Sequence, residues 1–204
     1  MSLPDTALQR INLALSRLGK PPLATLSDQN ENARTMLAVF SDVARAELRR
    51  HAWSFAMDRT TLAADSTPPK FDYSNAFVLP GDYLRLVVLN DLWIDTSIRE
   101  AAQEDLPIYT IEGKRILANL DAPLRIRYVT DVTNAPDTWD ALFCEVFALA
   151  LARAAAPTLV KSEARIKTLR EDYQQAVFDA KRANAIELPP REKNDASWIT
   201  SRQW

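Results

Sequence analysis

Three glycines, one histidine and one cysteine in 204 residues remove much familiar enzymology before any pattern is read. Isolated glycines at Gly19, Gly81 and Gly113 cannot build a dinucleotide fingerprint or a phosphate-cradling loop. A lone histidine (His51) and a lone cysteine (Cys144) cannot furnish a zinc site built on those ligands, and no disulfide can close within the chain. Positive charge is not in excess either. The chain has 25 Lys and Arg against 27 Asp and Glu, a formal net charge of -2. That balance disfavours the basic footprint of a sequence-specific nucleic-acid binder. No uninterrupted apolar run reaches the roughly 18 residues that span a bilayer. The longest, 141 to 152, is broken by Glu145 and reads as a buried helix. The opening Met-Ser-Leu-Pro-Asp lacks the basic start and apolar stretch of a signal peptide, so a reducing cytoplasm is the expected site of synthesis.

What is present is an ordinary globular composition, 47% hydrophobic and 25% charged. The length suits one domain with an insertion. Asp5 or Thr6 is placed to cap a first helix with apolar positions Leu8, Ile11, Leu15 and Leu18. Gly19 and then Pro21-Pro22 end it. A second helix is expected from Asp28, with Glu31 closing a capping box, and Ala33, Leu37, Phe40, Ala44 and Leu48 form its stripe. Arg45, Arg49 and Arg50 crowd its end, and Trp53 to Met57 alternates like a strand. From about 58 to 135 the spacing turns from three and four residues to two. Strands are expected at 84–88, 108–112, 114–119 and 124–129, forming one small, mainly antiparallel sheet with a hairpin turn at Glu112-Gly113. Helical spacing returns after a cap at Asp137 or Thr138, and Pro157 breaks or kinks that run. A last helix is expected from Ser162 to Ala185, with a Glu163–Lys167 surface pair.

The expected architecture is therefore α+β. Residues 1–57 and 136–185 make a helical bundle, 58–135 a β-rich insertion, and 186–204 an extended C-terminal arm. The arm opens at Pro189-Pro190, continues without periodicity, and ends with Trp198, Ile199 and Trp204. Tryptophan is prominent among interface hot spots, so these three residues are the candidate assembly interface.

Candidate chemistry is sparse. His51 at a helix end is placed for a protonated imidazole to meet the helix dipole, and Cys144 sits among apolar neighbours as a small hydrophobe. Glu100, Glu104 and Asp105 cluster in a polar connection, while Asp91 and Asp95 flank Trp93. Neither group has an acid–base frame. The Arg45, Arg49, Arg50 patch with Trp53 and Phe55 nearby has the ingredients of a single-strand grip. The acidic balance favours Trp53 and Phe55 as structural anchors between the second helix and the insertion.

The run from Ile11 through Gly19, Pro21-Pro22 and Leu23 to Leu26 resembles the N-terminal motif of the phage tail tubular protein A family. Asn32-Ala33-Arg34, the Arg49-to-Phe55 segment and Leu79-Pro80-Gly81-Asp82-Tyr83-Leu84 are similar to that family's later turns. The resemblance is strong over the first 55 residues and looser beyond, and its motifs are structural turns. It implies a non-enzymatic head-to-tail connector of a tailed phage or prophage, located in the virion at the head–tail junction. Such a protein carries no cofactor, metal or membrane segment. It assembles as a ring, usually dodecameric, between the portal protein and a nozzle protein like tail tubular protein B, around DNA that passes without sequence-specific contact. The alternative is a carboxylate-dependent cell-wall hydrolase on a phage tail, which needs two carboxyl groups roughly 5–9.5 Å apart across a cleft. A cellular regulator or scaffold on a helical bundle is a third.

Overall fold

A computed structural model describes residues 4–90, 92–94, 108–160 and 162–187. Helix α1 (Asp5–Leu18) buries Ala7, Ile11, Ala14, Leu15 and Leu18 along one stripe. Its N-terminal boundary differs from expectation. Pro4 is the capping residue, its carbonyl accepts the Ala7 N–H, and Asp5 already lies in the first turn near the positive end of the dipole. At the other end Gly19 adopts φ +68°, and the N–H groups of Gly19 and Lys20 return to Ser16 and Leu15. This Schellman closure needs a left-handed residue, which glycine supplies without a Cβ penalty. Nearly two turns before the end, Asn12 reaches across the loop. Its Nδ2 donates to Leu23 O at 3.0 Å and its Oδ1 accepts from Leu23 N at 2.8 Å. A single amide thus clamps both backbone groups of the residue after the two prolines.

Helix α2 (Glu31–Arg50) is capped by Asn30, whose side chain accepts from Ala33 N, and not by Asp28. The Asp28 carboxylate is already used by Ala24 N, Thr25 N and Thr25 Oγ1, which fold the preceding loop. After α2 the chain makes one 3-10 turn, Ser54–Ala56, where a strand was expected. The Ala56 N–H bonds to Trp53 O, so the large residues between Trp53 and Met57 are wound onto the helices instead of being extended.

The described residues of the middle of the chain form seven strands: β1 (Met57–Leu62), β2 (Asn75–Val78), β3 (Tyr83–Leu89), β4 (Leu92–Trp93), β5 (Tyr109–Glu112), β6 (Arg115–Ala118) and β7 (Leu124–Thr130). They make two antiparallel sheets, ordered β1-β7-β3-β4 and β2-β6-β5, where the alternation suggested one. The added sheet exists because Asn75–Val78, too short to read as a strand from sequence, pairs with β6. Gly113 turns the β5–β6 hairpin at φ +59°, with Glu112 paired to Arg115. Leu62, Phe77, Leu79, Leu86, Leu89, Ile116, Leu124 and Ile126 form a second core within the β region.

Helix α3 (Ala141–Leu159) starts at Asp140, which accepts from Leu142 N and Phe143 N, so neither Asp137 nor Thr138 caps it. Pro157 falls in its last turn. Helix α4 (Glu163–Glu187) runs two residues past its expected end and takes Ile186 and Glu187 from the expected arm. Its ion pair is Lys167–Glu171 at 3.9 Å, in place of Glu163–Lys167. Helices α1, α2 and α4 all pack on α3. The larger core joins residues from all four helices to Val87, Val88 and Val129 of the first sheet. The fold is α+β, as the spacing implies. The remainder of the expected arm, with Trp198, Ile199 and Trp204, lies outside the described residues.

The Asn12 clamp generates a test. Asn12→Ala leaves the Leu23 N–H and carbonyl without their partners and is expected to cost about 1–3 kcal/mol in chemical denaturation. Gly19→Ala forces a Cβ into the left-handed region and is expected to cost about 1–2 kcal/mol by the same measurement.

Candidate functional site

The sequence-flagged residues around the end of α2 converge on one helix–sheet joint. Trp53 is 2% exposed, and its Nε1 donates to Glu47 O at 3.1 Å. Its ring stacks near Phe55, and both rings meet Phe143 of α3 at centroid distances of 5.1 and 4.9 Å. The pair therefore braces the α2–β1 link against α3. Indole and phenyl faces are turned to protein, which leaves no open stacking platform at Trp53.

The neighbouring arginines are engaged within the chain. Arg45 Nε donates to Asp131 at 2.7 Å, Arg49 donates to the Leu84 carbonyl, and Arg50 pairs with Glu47 at 3.3 Å. Arg85 reaches from β3 to the carbonyls of Arg49 and Arg50, where its positive charge meets the negative end of the helix dipole. The crowding has an electrostatic cost. Burial and the adjacent Arg49 hold Arg85 below its ordinary pKa.

Two polar residues not anticipated from sequence hold this joint together. Glu47 is 4% exposed and accepts from the Tyr173 hydroxyl of α4 at 2.8 Å. Burial raises its pKa, while Tyr173, Arg50, Arg153 and Lys181 oppose the rise. Tyr173 is pushed up to about 12, by burial and by the carboxylate it faces, so it stays a donor. The Arg153 guanidinium lies 4.1 Å from the Tyr173 ring centroid, a cation–π contact that closes the cluster. A hollow of about 310 Å³ opens beside it, lined by Glu47, Arg50, Trp53, Tyr173, Val177 and Lys181. Asn184 is the second. Its Oδ1 accepts from Ser54 N, and its Nδ2 bonds to Ala52 O and to His51 Nε2. Both residues continue apolar stripes: Glu47 follows Phe40 and Ala44, and Asn184 follows Tyr173 and Ala180. A polar residue at a stripe position was the available signal.

His51 reverses its expected role. Burial, then repulsion from Lys181 and Arg85, lowers its pKa to about 4, so the imidazole is neutral and not a dipole-stabilised cation. The Asn184 Nδ2 that faces it can only donate, so the neutral ring carries its proton on Nδ1 and accepts at Nε2. Cys144 is buried, and burial raises its pKa, which makes it a poor nucleophile.

Among the described carboxylates, Asp58 and Asp82 come together. The Tyr128 hydroxyl lies 3.2 Å from an oxygen of each, and Asp82 also accepts from Thr130 Oγ1 at 2.7 Å. Burial and the two carboxylates raise the Tyr128 pKa, so the phenol keeps its proton. This arrangement ties the Gly81-Asp82-Tyr83 turn to β1 and β7. Asp91, Asp95, Glu100, Glu104 and Asp105 lie outside the described residues. No group of three or more His, Cys, Asp or Glu side chains placed to hold a metal occurs among the described residues. Comparison with protein-family models and with curated proteins gives no match to this chain.

The joint yields two expected outcomes. Unfolded histidine takes up its proton near pH 6.5, whereas folded His51 waits until about pH 4. Stability is therefore complete above about pH 6.5 and falls toward pH 4, by roughly 1–2 kcal/mol for this partly exposed group. His51→Gln should flatten that part of the pH dependence in urea titrations. Trp53→Ala should cost about 3–5 kcal/mol in thermal or urea unfolding.

Proposed function

We propose that this chain is a structural, ring-forming head-to-tail adaptor of a tailed phage or prophage, seated between portal and tail nozzle around the DNA exit channel. The observation that carries the proposal is the work done by the residues of the resembling motifs. Gly19 and Leu23 belong to the clamped α1–α2 turn. Arg49 and Trp53 lock the α2 end to β3 and α3. Asp82 and Tyr83 lock the third motif: Asp82 binds Tyr128 and Thr130 of β7, and the Tyr83 hydroxyl accepts from Leu86 N. The first motif thus fixes the α1–α2 turn, the second joins the helical bundle to the sheet and the third fixes the turn into β3. Together they give a subunit of defined shape, such as a ring needs so that successive copies meet at one rotation and close.

Surface apolarity adds support. Phe178 and Ile186 of α4 are 62% and 80% exposed, and Phe71, Val78, Ile108 and Ile111 are exposed in the β region. Exposed large apolar side chains at two places suit a heterologous ring contact, in which one face of a subunit meets a different face of the next. In this reading Trp198, Ile199 and Trp204 anchor the C-terminal segment on a neighbouring subunit or on the portal.

Native mass spectrometry and negative-stain imaging test the proposal. The expected result is closed rings, with a mass near twelve 23.0 kDa chains if the usual stoichiometry holds. A persistent monomer at micromolar concentration, also in the presence of portal, contradicts it. Phe178→Glu should weaken assembly while leaving monomer melting within about 0.5 kcal/mol, because the site is exposed. Removing 188–204 should leave a folded monomer that assembles poorly. If the truncated chain instead loses thermal stability as a monomer, the segment folds back onto its own subunit.

A further inference from the structure

We propose that the hollow between the end of α2 and the middle of α4 is the socket for Trp198 of a neighbouring copy of this chain. That a neighbouring copy is present rests on the ring reading; the socket itself rests on the shape and chemistry of the hollow.

The hollow has a volume of about 310 Å³ and is apolar at Trp53, Tyr173 and Val177 and cationic at Arg50 and Lys181. Ligand sites span about 300–1,000 Å³, so this one suits a single large side chain better than a cofactor. Phe178 is 62% exposed and stands beside two residues that line the hollow, Gln174 one turn before it and Lys181 one turn after. The apolar surface therefore continues out of the hollow onto the face of α4. An indole matches this lining. Its body supplies apolar area, and its face attracts the Lys181 ammonium. Asp195 lies three residues before Trp198. Its carboxylate suits a rim where three cations, Arg50, Arg153 and Lys181, gather around one carboxylate, Glu47. Trp204 is the poorer fit, because Arg202 brings a like charge to that rim.

The course of the chain favours a neighbour's Trp198 over the subunit's own. Ser54 Oγ donates to Glu187 at 2.7 Å, so the end of α4 is tied down beyond the hollow. From there the subunit's own Trp198 has to double back along α4 past Lys181. The residues available for that reversal include Pro189-Pro190, which favour an extended course, and no glycine occurs between 188 and 204. Trp198 stands eleven residues past Glu187, an extended reach of at most about 36–40 Å. A domain of this length has a radius of gyration of about 17 Å and is roughly 40 Å across. The reach thus matches the step from one subunit to a touching neighbour.

Disulfide trapping in the full chain tests the socket, with Gln174→Cys and Ser197→Cys introduced together. Gln174 is exposed, and Cys144 is buried and does not compete. Mild oxidation is expected to join copies into a ladder of covalent multimers on non-reducing gels. Peptide mass mapping should find the 174–197 link, and reduction should remove it. Arg34→Cys with Ser197→Cys, placed about 20 Å back along α2 from Glu47, should not give that link. Trp198→Ala should weaken subunit association by about 30-fold or more, the range of an interface hot spot. Lys181→Glu should weaken it as well, and Asp195→Lys added to that variant should restore it. The proposal is overturned if oxidation yields only an internal 174–197 link at monomer mass, which makes the occupant the chain's own segment. It is equally overturned if no 174–197 link forms, or if the Arg34 control is trapped as strongly. Native mass spectra of the same samples separate the two claims: rings without the 174–197 link defeat the socket alone, and linked pairs without rings defeat the adaptor reading alone.

Discussion

Helix α3 keeps only a narrow polar edge, at Glu145 and Arg153, and the rest of the helical architecture follows from that constraint. Ala141–Leu159 is long and apolar enough to cross a membrane by length and composition, yet its residues from Phe143 to Leu159 are mostly buried inside the protein. One partner helix covers only one stripe, so a helix that is apolar over most of its circumference needs cover on several sides. Helices α1, α2 and α4 provide three sides. Small residues such as Ala148, Ala152, Ala155 and Ala156 allow those neighbours to approach closely, while Phe143 and Phe147 fill the space beside Trp139, Phe40 and Trp53. The sheet enters the same core through Val87, Val88 and Val129. Burial of this extent, at about 25 cal/mol per Å² of apolar surface, is the dominant favourable term in the fold.

A core made so largely of apolar contacts is tolerant of sliding, because hydrophobic burial is non-directional. The buried polar contacts supply the missing direction. Glu47 can meet Tyr173 only at one axial position of α4 against α2, and Asn184 can meet Ser54, Ala52 and His51 only at that same position. Glu187 repeats the constraint by accepting from Ser54 Oγ at 2.7 Å. Three contacts of different chemistry therefore select one register. The low His51 pKa belongs to this arrangement, since the imidazole accepts a hydrogen bond while two cationic side chains stand near it.

Much of the architecture was legible because its signal is periodic. The three- and four-residue steps of Ile11, Leu15 and Leu18 and the two-residue steps of Leu124, Ile126 and Tyr128 correspond directly to buried faces. Helix starts were less legible, because Asp28, Asn30, Asp137 and Asp140 are all competent caps; at the second helix the choice follows from the loop's own use of the Asp28 carboxylate. The 3-10 turn after Trp53 was missed for a related reason. Alternation of large residues also fits a chain winding across a helix end, and only the position of Phe143 decides between the two. As for the candidate site, Trp53 and Phe55 were visible as large apolar residues, whereas Glu47, Asn184 and the Asp58–Tyr128–Asp82 group depend on pairings across 46 to 133 positions that no local pattern encodes.

The two strands that leave and re-enter the helical bundle, β1 and β7, are also direct neighbours, paired from Met57–Val129 out to Leu62–Leu124. Covalently, everything between them joins the bundle through this strand pair alone, while β3 adds packing through Val87 and Val88 and hydrogen bonds through Leu84 and Arg85. Mechanically, a force pulling the second sheet away from the helices runs along both strands in parallel, toward the same anchoring end. The stress then falls on the links from Met57 and Val129 into the bundle, and the ladder between the strands carries little of it. A torque about the stalk is resisted differently, by the aromatic brace on Phe143 and by the Arg49 and Arg85 bonds across the joint. The β region is thus stiff against twisting but held by few covalent paths, the mechanical character of a paddle on a short handle.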